Sequence, residues 1–363
     1  MQKKKIICCV TNDLSFDQRM IRICNSLSAF GYDVLLCGRQ LPNSIPLEEK
    51  SFIQYRITCI FNKGKLFYLE YNIRLFFFLL SQKFDAVNAI DLDTAMATLA
   101  ASKIKKRKLV YDAHELFTEV PEVVNRPFTK SVWLFVEKFF IPKTDLAYTV
   151  SNSIAEFFKN KYGKKFEVIR NVPLLKPFEP SQKENAIIYQ GALNEGRGLE
   201  FLIDAMHDID ATLWIAGDGD LASNLKAQVQ KEKLENKIQF LGKLSANELS
   251  HKTQKALVGF NVLEQKGLSY YYSLSNKTFD YIHAEIPQII SAFPEMKLLN
   301  AQHHIAIEIE KISAKEISVA INRLLKDKEL HNQLSNNCAR AKKVLNWQNE
   351  SQKLQDFYEQ LFR

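Results

Sequence analysis

The chain has 363 residues, of which 46% are hydrophobic and 25% are charged, with a formal net charge of +8. This length suggests two domains of about 100–200 residues each, and the 25 Phe and 13 Tyr residues exclude disorder as the main state. Glycine is scarce, with 12 residues, about 3% against a typical usage of about 7%, so collagen-like and low-complexity chains are excluded as well.

Short apolar runs alternate with longer helical stretches through the first half. Apolar runs without strict alternation, separated by helices, indicate a parallel sheet covered on both faces. We predict strands at 5–10, 34–37, 86–90, 109–111, 146–150 and 167–169, and helices at 17–30, 66–82, 92–104, 128–140 and 152–162.

The pattern pauses at 172–184, which contains three prolines and no helical period and is the best candidate linker. A second strand–helix series then follows. We predict strands at 186–189, 212–215, 238–241, 258–262 and 288–291, and helices at 199–206, 221–231, 246–254, 276–284, 313–341 and 347–362. The prediction is therefore two doubly wound α/β domains, 1–172 and 185–345, and a C-terminal helix at 346–363 that packs back on the first domain.

The pattern of cysteines and the lack of a recognisable targeting signal favour a location in the reducing cytosol. Five of the six cysteines lie in the first 60 residues, mostly within apolar runs, and no C-x-x-C pair occurs, so we expect buried free thiols rather than a zinc or redox site. The apolar run after Lys3, Lys4 and Lys5 is too short for a secretory signal. No window supplies the roughly 18 apolar residues of a membrane span. The expected location is cytoplasmic.

Charge is unevenly distributed along the chain. Residues 1–170 hold 26 Lys and Arg against 17 Asp and Glu, a net charge of +9, whereas residues 171–363 hold 23 against 24. The basic half also carries apolar stretches at 75–80 and 132–140, which are either core helices or contacts to an anionic membrane surface. Nucleic acid is not expected, because the basic residues are not interleaved with stacking aromatics on a known binding motif.

Half of the glycines lie between 191 and 242, after three successive predicted strands of the second domain. Glycine lets backbone N–H groups approach an anion, and a helix N-terminus adds partial positive charge. Arg197 follows the first loop and could clamp a phosphate bidentately. The alternative is that these glycines only make turns. The expected ligand-binding glycines are Gly191, Gly196 and Gly242, with Lys243 beside the last of them.

The segment at 270–281 predicts a second anion-binding edge. Ser275 is a candidate N-cap for a helix that Asn276 opens, and Lys277 in its first turn would add a positive charge. Asp280, one turn further on, could accept hydrogen bonds from the vicinal hydroxyls of a ribose. The alternative is an exposed Lys–Asp pair on a helix surface, and the three preceding tyrosines are either core residues or a sugar-stacking surface.

The motifs resemble those of family 4 glycosyltransferases. GALNEGRGL at 191–199, IAGDG at 215–219, FLG at 240–242 and SLSNKTFDY at 273–281 resemble the donor-binding domain, and DLSFDQR, AIDLDT and YDAHE in the first half resemble the acceptor domain of one branch. The resemblance implies a GT-B fold, in which two Rossmann-like domains face a cleft. It also implies transfer of a sugar from a nucleotide donor with retention of configuration and no required metal.

The resemblance also assigns roles to individual residues. Arg197 and Lys277 would stabilise the leaving diphosphate, and His114 would contact the transferred sugar. Donor binding would use the three glycines above with Lys243, Asn276 and Asp280. The substrate-side residues would be Asp13, Tyr272, Ser273, Leu274 and Ser275.

The sequence departs from the family pattern at several places. Ala192 stands where an arginine is usual, and Arg197-Gly198 stands in for Lys-Gly. Tyr272 and Asp280 replace a pair of glutamates, Glu285 replaces a glycine, and Thr11–Ser15 replace a glycine pair after the first strand.

The expected function is transfer of a hexose-type sugar from a UDP- or GDP-sugar to a glycan or a lipid-diphosphate-linked acceptor, in cell-surface polysaccharide synthesis. No cofactor is expected, and a position on the inner face of the cell membrane would suit such an acceptor. Two alternatives stay open: a sugar-nucleotide epimerase of the same architecture, and a non-catalytic protein that binds nucleotide sugars.

Overall fold

The computed structural model describes residues 3–15, 17–177 and 181–363. The chain divides into two compact units, the first formed by Met1–Asn171 with Glu350–Arg363 and the second by Val172–Asn349. Residues 178–180 of the predicted linker lie outside the described residues, as does Phe16 of the first acceptor-side motif.

A parallel sheet forms the centre of the first unit. Its described strands lie in the order β3-β2-β1-β4-β5-β6-β7, and the order reverses direction beside β1, as in a doubly wound fold. The elements are β1 Lys5–Cys9, α1 Gln18–Ala29, β2 Asp33–Gln40, β3 Ile53–Thr58, α2 Gly64–Ser81, β4 Ala86–Ile90, α3 Ala95–Lys105, β5 Lys108–Ala113, α4 Pro121–Val124, α5 Pro127–Phe140, β6 Leu146–Thr149, α6 Asn152–Tyr162 and β7 Glu167–Val168.

Helices cover both faces of this sheet, which explains why its strands are apolar along their whole length. Tyr111 of β5 packs edge-on against Phe140 of α5, with ring centroids 5.2 Å apart. Tyr148 of β6 packs against Phe357, with centroids 5.0 Å apart. Phe357 lies on the last helix of the chain, so the C-terminal segment is part of the core of the first unit.

The second unit contains a second parallel sheet, in the order β10-β9-β8-β11-β12-β13. Its elements, with the C-terminal helix, are β8 Ala186–Gln190, α7 Leu199–Ala205, β9 Thr212–Ala216, α8 Ala222–Lys231, β10 Ile238–Gly242, α9 Ala246–Lys255, β11 Val258–Asn261, α10 Leu268–Tyr271, α11 Asn276–His283, β12 Gln288–Ser291, α12 Pro294–His303, β13 Ala306–Ile309, α13 Ala314–Lys326, α14 Lys328–Ala341 and α15 Trp347–Phe362. Alternate side chains of β8 enter two different cores: Ile187 and Tyr189 enter one, Ala186 and Ile188 the other.

The predicted class, two doubly wound α/β domains, is confirmed, and several local elements differ from prediction. Strand β3 was not predicted, because it lies at the sheet edge with alternating exposure and little buried apolar surface. Strand β13 and helix α12 were also missed. The helix predicted at 313–341 was wrong as a single helix: it breaks at Asp327, whose carboxylate accepts a hydrogen bond from Leu330 N at 2.9 Å and so caps α14.

Two further features concern the cysteines and the helices. All six cysteines are buried and unpaired in the structure. Across residues 3–15, 17–177 and 181–363, none of the helices combines the length and the apolar character needed to cross a bilayer.

Candidate functional site

Three loops meet at the carboxyl edge of the second sheet. Gly191 N donates to Ala216 O at 2.9 Å, Leu193 N donates to Asp218 O at 3.0 Å, and Gly217 N donates to Gly242 O at 2.8 Å. These backbone hydrogen bonds join the loops that follow β8, β9 and β10 into one surface.

Close packing of the loops explains one of the glycines directly. A Cβ atom at Gly217 would lie 1.9 Å from the carbonyl oxygen of Gly191, and its φ of +147° is unfavourable for other residues. For Gly217, the packing of the loops is sufficient reason for a glycine, in agreement with the alternative that these glycines only make turns. At Gly242 a Cβ would meet nothing within 4 Å, and only the φ of +66° favours glycine there.

Lys277 lies in the first turn of α11, with 7% of its surface exposed. Its Nζ is 4.8 Å from the ring centroid of Tyr189 and 4.0 Å from where a Cβ at Gly191 would stand. Burial and then the positive charge of Arg197 lower the pKa of Lys277 to about 7, although Asp280 opposes the shift. The amine therefore points toward the glycine loop in an environment that disfavours its own charge.

Arg197 reaches the same region from the loop that precedes α7. Its guanidinium carbon lies 4.6 Å from the ring centroid of Tyr270, a cation–π distance. Its Nε is buried and has no hydrogen-bond partner in the described part of the protein. Arg197 is thus held by an aromatic ring and keeps donor capacity for something else.

Other buried cations show what is unusual about Lys277. Arg19 pairs with Asp112 at 2.9 Å, and Lys342 pairs with Glu285 at 2.5 Å. Within the residues that the structure describes, no carboxylate forms an ion pair with Lys277 or Arg197. Buried charges are normally paired, so this edge has two cations whose counter-charge an anionic ligand could supply.

The start of α11 adds backbone donors to this edge. Ser275 is the N-cap and Asn276 the first helical residue, but the Ser275 hydroxyl makes no capping hydrogen bond. Thr278 N instead donates to the carbonyl of Ser275 at 3.0 Å. The first N–H groups of the helix are therefore not capped by Ser275, as an anion-binding helix terminus requires.

Asp280, the predicted ribose ligand, is positioned by a polar chain. Gln190 Nε2 donates to Asp280 Oδ2 at 2.8 Å, and the hydroxyl of Thr253 donates to Gln190 Oε1 at 2.8 Å. Asp280 keeps partial exposure. Gln190 ends β8 directly before the glycine loop, and no sequence pattern distinguishes it from its neighbours.

The remaining predicted ligands in the second unit lie around the same loops. Tyr272 is half-buried beside Tyr271, with ring centroids 5.3 Å apart. The hydroxyl of Ser273 donates to the carbonyl of Tyr270 at 2.9 Å, and Leu274 is buried.

Two predicted donor ligands differ in their surroundings. Lys243 is exposed and lies 3.7 Å from the Asp218 carboxylate. A Cβ at Gly196 would lie 3.0 Å from the Tyr270 ring, so that glycine lets the aromatic platform under Arg197 pack closely.

The first unit holds a separate polar cluster at the carboxyl end of β5. His114 Nε2 is 3.0 Å from Asp112 Oδ2, and its Nδ1 is 3.7 Å from Asp91 Oδ2. The backbone N–H of His114 donates to Asp91 Oδ1 at 2.9 Å. Burial disfavours the charged ring, but Asp112 and Asp91 outweigh it and raise the pKa of His114 to about 9. The ring is therefore an imidazolium near neutral pH.

The two carboxylates beside His114 differ in their own protonation. Burial raises the pKa of Asp91 to about 8, although His114 opposes the shift. Asp112 is fully buried, which opposes its ionisation, yet Arg19 and His114 lower its pKa to about 2. Arg19 also donates to the carbonyl of Ile169 at 3.3 Å. Arg19 and Asp112 thus form a fixed ion pair that orients His114.

Asp13, a predicted substrate ligand, is engaged within the first unit. Arg56 Nη2 lies 2.6 Å from Asp13 Oδ1, and the hydroxyl of Ser44 donates to its other oxygen. Burial opposes ionisation, but the hydrogen bonds from Ser44 and Ser15 and the charge of Arg56 lower the pKa of Asp13. Arg56 lies on β3, the strand that sequence reasoning missed, so this pairing was not predictable.

Sequence reasoning selected His114 but missed the residues that surround it. Asp91 follows β4, Asp112 lies within β5, and Arg19 lies on α1. The usable signal was polar residues at the carboxyl ends of neighbouring parallel strands, where ligands bind in such folds. Among the described residues, no group of three or more His, Cys, Asp and Glu side chains could hold a metal ion.

Two family profiles match adjacent parts of the sequence. "Glycosyltransferase Family 4" matches residues 18–172, and "Glycosyl transferases group 1" matches residues 174–341. The chain belongs to the family 4 type of glycosyltransferases. This glycosyltransferase has no match among curated proteins.

Solved structures agree with this assignment at the level of the fold. Sucrose-phosphate synthase from Thermosynechococcus elongatus is 18% identical, with 99% of both chains covered and a TM-score of 0.82. HepE from Anabaena, in complex with UDP and glucose, is 16% identical over 98% of this chain and 100% of that chain, with a TM-score of 0.79. WaaG, a glycosyltransferase involved in lipopolysaccharide biosynthesis, is 14% identical over 97% and 98%, with a TM-score of 0.75. The fold of this glycosyltransferase is therefore GT-B.

Proposed function

We propose that the carboxyl edge of the second sheet binds the diphosphate of a nucleotide sugar. The observation that carries this proposal is the pair of cations without a carboxylate partner, Lys277 and Arg197, beside the glycine loop at Gly191. A diphosphate would supply the missing negative charge, and charge-assisted hydrogen bonds to phosphate are among the strongest in proteins. The N-terminus of α11, which the Ser275 hydroxyl does not cap, adds to the same site.

The same arrangement suits departure of a nucleoside diphosphate from a sugar. Negative charge grows on the leaving diphosphate in the transition state, so cations already in place stabilise that state most. Asp280, fixed by Gln190, would bind the ribose, and the loop at 242–243 would border the base. Asn276 and the segment 272–275 would surround the phosphates and the sugar.

His114 is proposed to act on the transferred sugar from the first unit. As an imidazolium beside Asp112, it would donate a hydrogen bond to a hydroxyl of the transferred sugar and so orient that sugar. We propose a retaining reaction in which the acceptor hydroxyl attacks on the face that the leaving group departs, and a β-phosphate oxygen takes its proton.

We propose a hexose as the transferred group and a glycan or lipid-diphosphate-linked molecule as the acceptor. The complex of HepE with UDP and glucose supports UDP-glucose as the first donor to test, with GDP-sugars as the second class. The involvement of WaaG in lipopolysaccharide biosynthesis supports cell-surface polysaccharide as the class of product.

The test is calorimetric titration of UDP and GDP into the wild type, R197A, K277M, H114Q and K231A. Loss of one charge-assisted contact costs about 1.5–3 kcal/mol, so R197A and K277M should bind the preferred nucleotide about 10- to 100-fold more weakly. K231A removes an exposed lysine from the last turn of α8 and should bind like the wild type. H114Q should also bind normally but lose about 100-fold in sugar transfer.

Several outcomes would contradict the proposal. Unchanged affinity in both R197A and K277M would remove the diphosphate site. Conversion of the donor to an epimer without any acceptor would favour an epimerase, and nucleotide binding with neither hydrolysis nor transfer would favour a binding protein. Inverted configuration in the product, read by proton NMR of the new linkage, would exclude the retaining reaction.

A further inference from the structure

Exposed apolar residues are concentrated in the first unit. Among the described residues, 19 large hydrophobic side chains are exposed, of which 15 lie in the first unit and four in the second. Single exposed hydrophobic residues are normal, but a contiguous set usually marks a surface that meets a partner or a membrane. The positions of these residues on two helices of the first unit therefore show whether they form one continuous surface.

Helix α2 is apolar on two faces. Phe67, Tyr71, Leu75 and Leu79 recur every four residues and are buried against the unit. A second row recurs every three or four residues and points outward: Leu66, Leu69, Ile73 and Phe77, exposed by 55%, 59%, 49% and 63%. Residues three and four apart lie on one face of a helix, so this second row is a continuous outward stripe.

Helix α5 carries a matching stripe. Phe128, Val132, Phe135 and Phe139 are exposed by 69%, 47%, 66% and 40%, again at spacings of three and four residues. Its inward face contains Phe140 and Glu137, which are fully buried. The Phe135 and Phe139 rings lie side by side, with centroids 6.2 Å apart.

The two helices are neighbours within the unit. Tyr68 of α2 and Trp133 of α5 are in edge-on contact, with ring centroids 5.7 Å apart. Lys65 Nζ, at the start of α2, lies 4.5 Å from the ring centroid of Phe128 on α5. We call the eight outward residues of the two stripes the α2–α5 surface.

The exposed charges that accompany this surface are cationic. Lys63 precedes α2 and Lys65 and Arg74 lie on it, while Lys138 lies on α5 and Lys143 just after it; all five are exposed. The acidic residues of the two helices are engaged otherwise. Glu70 accepts hydrogen bonds from the backbone N–H groups of Ile60 and Phe61 and from Arg74, and the buried Glu137 bonds Lys161 and Tyr162.

We propose that the α2–α5 surface docks on an anionic lipid bilayer. Aromatic and aliphatic side chains surrounded by lysine and arginine match the interface of a negatively charged leaflet, where the apolar groups enter the headgroup region and the cations meet phosphates. A second copy of the chain fits less well, because an isologous contact would bring the same cations face to face. Docking of this surface on a membrane does not depend on whether the protein transfers a sugar.

The test is flotation of the full chain with vesicles of pure phosphatidylcholine and of phosphatidylcholine with 30% phosphatidylglycerol. The wild type should float only with anionic vesicles, and binding should weaken as salt rises. The double variant F77S/F135S should lose at least about tenfold in partitioning, because two phenylalanine rings would no longer enter the apolar part of the interface. The matched control L298S/V319S changes two exposed apolar residues of the second unit and should float like the wild type.

A second pair of variants tests the electrostatic part. K63E/K138E should abolish flotation at low salt while leaving circular dichroism and the unfolding temperature unchanged, since both lysines are exposed. No flotation of the wild type at any salt, or equal flotation of F77S/F135S and the wild type, would overturn the proposal. A wild-type dimer in light scattering that F77S/F135S converts to a monomer would assign the surface to self-association instead.

Discussion

At the scale of single residues, the chemistry of the candidate site depends on Lys277, whose charged form is not stabilised by water because the side chain is buried. Burial and Arg197 lower the pKa of Lys277 to about 7, well below its ordinary value of about 10.5. Near neutral pH a large share of free protein therefore holds this amine uncharged. A diphosphate, which requires the ammonium form, must bind together with a proton at higher pH.

This linkage gives a prediction for the pH dependence of nucleotide binding. Affinity for UDP or GDP should fall toward tenfold for each pH unit between 7.5 and 9, because the free amine loses its proton there. K277R, whose guanidinium stays charged, should lose most of this slope. Calorimetry in two buffers of different ionisation enthalpy would report the proton uptake; an identical slope in K277R would assign the titration elsewhere.

The sequence could identify residues of this kind but not their partners. Lys277 and His114 stand out because they follow predicted strands or start a predicted helix. Their protonation states depend on Arg197, Asp91 and Asp112, which the fold brings close to them. Distance in space sets those interactions, and a single sequence does not contain it.

At the scale of elements, the turn between α11 and β12 shows how one residue balances opposing effects. Glu285 has a φ of +55°, a left-handed conformation that costs a non-glycine residue about 1–2 kcal/mol. Its carboxylate lies 2.5 Å from Nζ of the buried Lys342. The ion pair therefore explains why a glutamate occupies a position where the resembling family has glycine.

Replacement of Glu285 by glycine should lower stability despite relieving this strain. E285G leaves Lys342 buried without its carboxylate, which costs more than the strain returns, so we expect a net loss of about 2 kcal/mol in urea unfolding. In the K342M background the same E285G change should be neutral or stabilise by up to about 1 kcal/mol. Destabilisation of equal size in both backgrounds would show that the ion pair with Lys342 is not the reason that a glutamate occupies position 285.

Element prediction succeeded where burial was two-sided and was uneven at the sheet edges, where β7 and β10 were predicted but two other strands were not. Strands such as β4 and β12 matched their predicted bounds, because fully buried parallel strands are continuous apolar runs. Edge strands β3 and β13 carry polar residues and were missed. The break at Asp327 was missed because helical periodicity continues on both sides of it, and only the cap geometry ends α13.

At the scale of the whole molecule, the chain returns to its first unit after completing the second. Residues from Glu350 onward belong to the first unit, where Phe357 packs on Tyr148 and Tyr358 lies beside Tyr32, with centroids 5.0 and 6.1 Å apart. The last 14 residues therefore belong to the unit whose sheet starts with strand β1 at Lys5, and they contribute to its hydrophobic core.

Truncation of this C-terminal core should destabilise the first unit selectively. F357A removes a side chain that is 3% exposed and should cost about 3–5 kcal/mol. Hydrogen exchange should accelerate in β5, β6 and α1 while the second sheet is unchanged. Q360A, an exposed change on the same helix, should stay within about 0.5 kcal/mol of the wild type; uniform acceleration in both units would contradict this assignment of α15.

The sequence by itself determined the fold class, the order of most strands and helices, the concentration of glycine after strands β8 to β10, and the family resemblance. These features follow from local periodicity and from residue types that a short segment displays. Only the tertiary structure decided that Lys277 and Arg197 lack carboxylate partners, that Asp13 pairs with Arg56 on an unpredicted strand, that Asp112 and Asp91 hold His114 as a cation, and that two helices share one apolar, basic surface. The physical reason is that charge pairing, burial and surface continuity depend on contacts between residues far apart in the chain, which local pattern does not specify.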